Sequence, residues 1–223
     1  MERNGEGHLP VVTIAALYGA SGTIIGPRVA ERLGVPFLDR EIPEGVAERA
    51  GLPEQAVASI DEAPRSFRDR LVDALGRASN LAGDAGGASE RLETQESILR
   101  SYFEDAFAEI AVSGGVAVGR GGMVVLRRVP WALHVYLAGP REARVAVRMA
   151  QDGIDRATAE RRQKDEDGAR YAYVRRAYGV APDDPSLYHL MLDTTALDTD
   201  VCVDLIVQAA NARRGTSTPA TSV

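Results

Sequence analysis

Apolar positions along the chain fall into short β-branched runs separated by longer stretches with helical spacing, and alternation of the two is the pattern of an α/β domain. Val11-Val12-Thr13-Ile14-Ala15, bounded by Pro10, predicts a strand apolar on both faces, as strands buried in parallel sheets are. The glycine turn Gly19-Ala20-Ser21-Gly22 follows, and Ile24 to Leu33 then repeats at helical spacing with Gly34 as its stop. Val35 to Asp39 predicts a second short strand ending in an acid, and Ile42 to Gly51 and Pro53 to Ile60 predict brief helices. Between Asp61 and Glu90 the helical spacing of Phe67, Leu71, Val72 and Leu75 gives way to Ala82-Gly83-Asp84-Ala85-Gly86-Gly87-Ala88-Ser89. That stretch has little with which to hold a packed conformation and is expected to be mobile.

The alternation resumes at Leu92 to Val112, where Ile98, Leu99, Phe103, Phe107 and Ile110 form the apolar stripe of a helix. Val116-Ala117-Val118 predicts a core strand that runs into Gly119-Arg120-Gly121-Gly122, and such strand ends are where open α/β sheets place ligands. Met123 to Arg128 predicts a helix, Trp131 to Leu137 a strand, and Pro140 to Ala150 a helix with Arg141, Arg144 and Arg148 on one face. Ile154 to Ala177 is dense in charge. Leu190-Met191-Leu192 ends in Asp193-Thr194-Thr195 and precedes a helix through Val201, Leu205, Ile206 and Ala209. The polar stretches 1–9 and 211–223 read as disordered tails around one domain at 10–210.

Composition narrows the function classes. A chain of 223 residues, 45% hydrophobic, suits a single core, and a net charge of -6 argues against binding to a nucleic-acid backbone. No apolar run reaches membrane-spanning length, no leader pattern opens the chain, and Cys202 is the single cysteine, so a soluble protein of the reducing cytoplasm is expected. The three histidines, His8, His134 and His189, are far apart with no ligand-spaced cysteines, which argues against a structural zinc site. Cys202 reads as a small core residue. The apolar helices around Phe103 and Leu205 fit a monomer or a homodimer equally well.

The chemistry concentrates where strand, glycine turn and helix follow one another, because a helix N-terminus offers free backbone N–H groups and the positive end of a dipole to a phosphate. Gly19, Ala20, Ser21, Gly22 and Thr23 are the candidate cradle; the hydroxyls of Ser21 and Thr23 either contact phosphate or cap the helix. Arg120, between glycines at a strand end, suits a phosphate, a base edge or a salt bridge. Asp39 either orients an acceptor hydroxyl or a metal-bound water, or starts a turn. Arg170, with Arg161 and Arg162 behind it, is the candidate cation of a closing lid. The lysine that phosphate loops carry has no counterpart: the chain's one lysine is Lys164, in the lid region. Tyr171, Tyr173 and Tyr178 either stack on a base or anchor the lid helix.

Five motifs in order, Tyr18-Gly19-Ala20-Ser21-Gly22 through Gly26, Gly119-Arg120-Gly121, Pro140-Arg141-Glu142-Ala143-Arg144, Asp167-x-x-Arg170 with Tyr173, and Asp193-Thr194-Thr195-x-Leu197, resemble the cytidylate-kinase-like family of nucleoside monophosphate kinases over about residues 11–210. The resemblance implies a P-loop three-layer α/β fold with a central, mostly parallel sheet, an acceptor-side region at about 40–95 and a mobile helical lid at about 151–180. It implies transfer of the ATP γ-phosphoryl group to CMP or dCMP with Mg2+, so that nucleotides are the partners. It further implies Arg120 and Arg144 at the acceptor phosphate, Arg170 with its partner Asp167 at the lid, and Thr195 near the donor base. Matched to a standard phosphate loop through Val29-Ala30 at the end of the following helix, Gly22 stands where the lysine belongs and Ile24 where the hydroxyl belongs. The family relaxes this loop to Tyr-Gly-Ser-Gly-Gly, usually with a glutamate at the position of Leu17 and an acid near Ile24. Loss of both polar positions motivates a second reading, an inactive nucleotide-binding or regulatory protein, and a kinase for a different small acceptor is a third.

Overall fold

The computed structural model describes residues 8–38 and 87–214. Strand β1 (Val11–Ala16) leads through the glycine turn into helix α1 (Gly22–Leu33), followed by β2 (Phe37–Leu38), α2 (Gly87–Ser113), β3 (Gly115–Val118) and the short α3 (Gly122–Val125). Then come β4 (Ala132–Ala138), α4 (Arg141–Asp152), the long α5 (Arg156–Tyr178), a single 3-10 turn (Pro185–Leu187), β5 (Leu190–Asp193) and α6 (Thr199–Arg214). The expected alternation is present with three corrections. The strand expected over 35–39 is only Phe37–Leu38. Helix α2 begins before Leu92, so Gly87, Ala88 and Ser89 of the glycine-rich segment are helical, and α6 continues to Arg214, so 211–214 are not part of a disordered tail. Asp39, the helices expected between 42 and 60 and the rest of the segment to residue 86 lie outside the described residues.

Among the described residues the strands form one parallel sheet in the order β2-β3-β1-β4-β5. The order explains why β1 is apolar on both sides: it is the middle strand, paired with β3 through Val11↔Gly115 and with β4 through Val11↔Ala132. Its alternate residues serve different layers. Val12 and Ile14 join Ile25 and Val29 of α1 and Cys202, Val203 and Ile206 of α6 in the largest core cluster, whereas Val11 packs with Phe103, Phe107 and Ile110 of α2. Complete burial of each such side chain stabilises by about 1.5–3 kcal/mol, and this fixes the helices to the sheet. The C-terminal half of α5 meets the α2 side through Val174, Tyr173 and Tyr178, which cluster with Met123 and Tyr188. Parallel strands place all their C-terminal ends at one edge, and the glycine turn after β1, Arg120 after β3 and Asp193 on β5 all stand there. No described helix is long and apolar enough to cross a membrane.

Candidate functional site

The chain leaves β1 at Ala16 and reverses over Leu17 to Ala20, closed by the Ala20 N–H to Leu17 C=O bond of 3.0 Å. Gly19 has a φ of 76°, and a Cβ there would lie 2.3 Å from the backbone oxygen of Arg144, so only glycine lets the loop touch α4. A Cβ on Gly22 would meet the Ala16 side chain at 2.5 Å, which holds the start of α1 against β1. Ser21 is the N-cap residue at φ 55°, but its hydroxyl makes no capping bond; its carbonyl accepts from Ile24 and Ile25 N–H instead. The first N–H groups of α1 have no partner inside the helix and point ahead of it with the positive end of the dipole. Thr23 is exposed beside them, Ile24 is exposed, and Leu17 packs against the main core cluster.

Helices α4 and α5 grip this loop. The buried Arg144 donates through Nε to Gly139 C=O at 3.0 Å, and through Nη1 to Tyr18 C=O at 2.6 Å and Asp167 Oδ2 at 2.9 Å. The other Asp167 oxygen accepts the Tyr18 N–H at 2.8 Å. Arg170 donates to Ala16 C=O at 2.8 Å and to Glu166 at 3.0 Å, with Asp167 at 3.5 Å. Gln163 and Arg141 exchange two hydrogen bonds and join α5 to α4, while Arg148 lies over the Tyr18 ring. Of the residues singled out from the sequence, Gly19, Arg144, Asp167 and Arg170 thus share one network. Arg144 turns its guanidinium to the main chain and to Asp167 within that network.

Arg120 follows β3, the strand paired with β1. Its backbone is left-handed at φ 55°, its guanidinium lies 4.8 Å from the centre of the Phe103 ring, and burial pulls its pKa below the ordinary arginine value, with Arg170 acting in the same direction. The adjacent Gly121 is obligatory, since a Cβ would meet the Tyr178 ring at 2.3 Å, and the Tyr178 hydroxyl donates to Arg120 C=O at 3.3 Å. At the β5 end, Asp193 accepts from Thr195 N–H at 2.9 Å and from its hydroxyl at 2.6 Å, bonds that hold the carboxyl below its usual pKa. Thr195 lies against Gly139, whose carbonyl also takes the Arg144 Nε, so the β5 edge adjoins the loop network. Asp39 is outside the described residues.

The sequence reading missed the partners that complete these contacts. Glu166 and Gln163 were not singled out within the charge-dense stretch, and the gripping of Tyr18 by its backbone leaves no trace in residue type. It also missed a cluster below the site: Thr13 Oγ1 lies 2.8 Å from His134 Nδ1, and the His134 N–H donates to His189 Nδ1 at 3.0 Å. Burial, with His189 and Arg213 nearby, pushes the His134 pKa down to about 4. The signal was available, since Thr13 and His134 are the polar positions of two otherwise apolar strands.

A phosphate fits the front of α1, where the first N–H groups of the helix, the Ser21 hydroxyl and the exposed Thr23 supply donors complementary to it. For Mg2+ the fit is leaner. No group of three potential metal-ligating side chains occurs among the described residues, and the nearby carboxylates of Asp167 and Asp193 are engaged by Tyr18, Arg144 and Thr195. The loop offers the hydroxyls of Ser21 and Thr23, a set adequate for an ion that retains waters and takes most of its ligands from phosphate oxygens.

The model of the cytidylate kinase-like family matches residues 11–196. The chain belongs to that family. Its relatives include a cytidylate kinase of Methanopyrus kandleri, 24% identical over 200 residues that span 89% of this chain and 92% of that protein. A uronate isomerase of Corynebacterium glutamicum is 28% identical over 121 residues, 54% of this chain and 23% of that protein. Among solved structures, an uncharacterized protein from Eubacterium ventriosum superposes with a TM-score of 0.62 at 16% identity, over 91% of this chain and 99% of that one. The family match and the parallel sheet, with its strand–glycine loop–helix unit, establish the kinase-like P-loop α/β fold anticipated from the five motifs.

Proposed function

We propose that this member of the cytidylate kinase-like family is a nucleoside monophosphate kinase that moves the γ-phosphoryl group of ATP to CMP or dCMP. The observation that carries the proposal is the docking of the arginine-bearing helix α5 directly on the loop in front of α1, through Asp167 and Arg170. The name of the Methanopyrus kandleri relative supports the acceptor. Phosphoryl transfer demands in-line positioning and compensation of charge on the transferring oxygens more than any covalent step by the protein. The backbone of Gly19 to Thr23 would cradle the donor phosphates, with Thr195 beside the donor base, and Arg170 would supply positive charge from the lid. Arg120, and Asp39 on the acceptor side, would hold and orient the monophosphate. Ser21 and Thr23 would be the loop's contribution to holding Mg2+, which would supply positive charge against the phosphate oxygens.

A coupled assay with ATP and Mg2+ against CMP, dCMP, UMP, AMP and GMP tests this, with Arg170→Ala as the control. Selective turnover of the cytidine nucleotides, lost in the control, is the expected result. Turnover of none of them would overturn it. One observation favours a second reading, binding without catalysis: Leu17 packs against the core and Ile24 puts no oxygen at the loop. ATP binding without transfer to any acceptor, small hydroxylated compounds included, would select that reading over a kinase.

A further inference from the structure

We infer that Asp167 and Arg144 are positioning residues through which the lid sets the conformation of the phosphate loop. The inference rests on reading Gly19 to Thr23 as that loop, and it concerns what holds the loop in shape. Three main-chain groups on the way into it are satisfied from outside: Ala16 C=O by Arg170, Tyr18 N–H by Asp167, and Tyr18 C=O by Arg144. Two of the three donors and acceptors sit on α5. The third, Arg144, is itself ion-paired to α5 through Asp167 at 2.9 Å. One residue further on, Gly19 is pressed against the α4 backbone at Arg144, so a shift of Tyr18 is passed straight to the glycine turn.

If α5 lifts, the Tyr18 N–H and Ala16 C=O lose their partners, Arg144 loses its counter-charge, and polar groups left without partners favour rearrangement of the segment that carries them. Lifting is within reach, because between Arg156 and Tyr173 the only buried residues of α5 are Ala159 and Gln163. Loop order and lid docking therefore form one equilibrium, and a ligand that requires the ordered loop must draw the lid down by reciprocity. A loop that lacks a lysine of its own is organised from a second helix, and donor affinity becomes a property of that helix.

Amide hydrogen exchange on the full chain, with and without ATP, tests this in Asp167→Ala and Asp167→Asn, the latter keeping an oxygen to accept the Tyr18 N–H. Without nucleotide, Asp167→Ala is expected to raise exchange across residues 17–21 about tenfold or more, with exchange across α6 close to that of the parent. Asp167→Asn is expected to restore much of the protection. ATP affinity is expected to fall about tenfold in Asp167→Ala with the KM for CMP unchanged, and ATP is expected to protect α5 in the parent chain only. Unchanged exchange at 17–21 in folded Asp167→Ala would overturn the inference, as would raised exchange with undiminished ATP affinity. Should the parent chain bind no ATP, the kinase reading falls, and the exchange of the loop without nucleotide alone decides whether Asp167 positions it.

Discussion

Two contacts of the molecule, the packing of helices on the sheet and the seam between α5 and the glycine loop, are held by different physics. In the first, α1 and α6 bury Ile25, Val29, Cys202, Val203 and Ile206 almost completely against β1, β3 and β4. In the second, α5 runs for 23 residues and buries only Ala159, Gln163 and Val174; its middle meets the loop through the Asp167 carboxylate, the Arg170 guanidinium and main-chain atoms. Apolar burial is non-directional and large, so the α1/α6 face behaves as one cooperative block. Polar contacts in a half-exposed seam depend on geometry and contribute little net stability, and the proposed coupling of lid and loop requires the α5 seam to open without unfolding the rest.

The comparison breaks most readily at Ile206. Ile206→Ala empties a fully buried site on the rigid face and is expected to cost about 2–5 kcal/mol in urea unfolding, with exchange rising across the whole sheet. A next, smaller effect comes from acid. His134 titrates at about 4 in the folded chain against an ordinary 6.5, so the unfolded chain binds the extra proton in between. Stability that is complete above about pH 6.5 should decline as the pH falls towards 4, by up to roughly 3 kcal/mol. A pH series of unfolding midpoints checks this, and His134→Gln should flatten the slope. Arg170→Ala is expected to change global stability by under about 1 kcal/mol, yet to lower turnover by about a hundredfold if the kinase reading holds. A large loss of stability there would mean that the seam is part of the block. Smallest of all is Arg32→Ala, which removes the exposed pair with Asp204 between α1 and α6 and should cost less than about 0.5 kcal/mol by calorimetry.

The apolar packing on both faces of the sheet was legible in the sequence because its energetics are written in residue type. The β-branched runs of β1 and β3, the stripe Phe103-Phe107-Ile110 and the spacing of Ile25 and Val29 each specify burial by themselves, and their elements stand within a few residues of expectation. The seam was legible only in part. Asp167 and Arg170 were singled out by motif and do meet the loop, but Tyr18 takes part through its peptide groups, which every residue possesses. Arg144 reads from its position as a phosphate ligand, and only the approach of Gly19 to α4 shows how its guanidinium comes to face the main chain. The pairing of His134 with His189 depends on β5 lying next to β4, a neighbour relation no local pattern encodes.

Cys202 carries the chain's single thiol, deep in the α1/α6 face, where burial raises its pKa. A thiol reagent in solution can reach it only when that face opens, and the reacting thiolate is scarce until it does. The molecule thus carries its own clock: the rate of labelling at one natural position reports how often the block comes apart, with no tag, dye or substitution to disturb it. A movement confined to α5 leaves that clock unaltered, and one that reaches α6 sets it running.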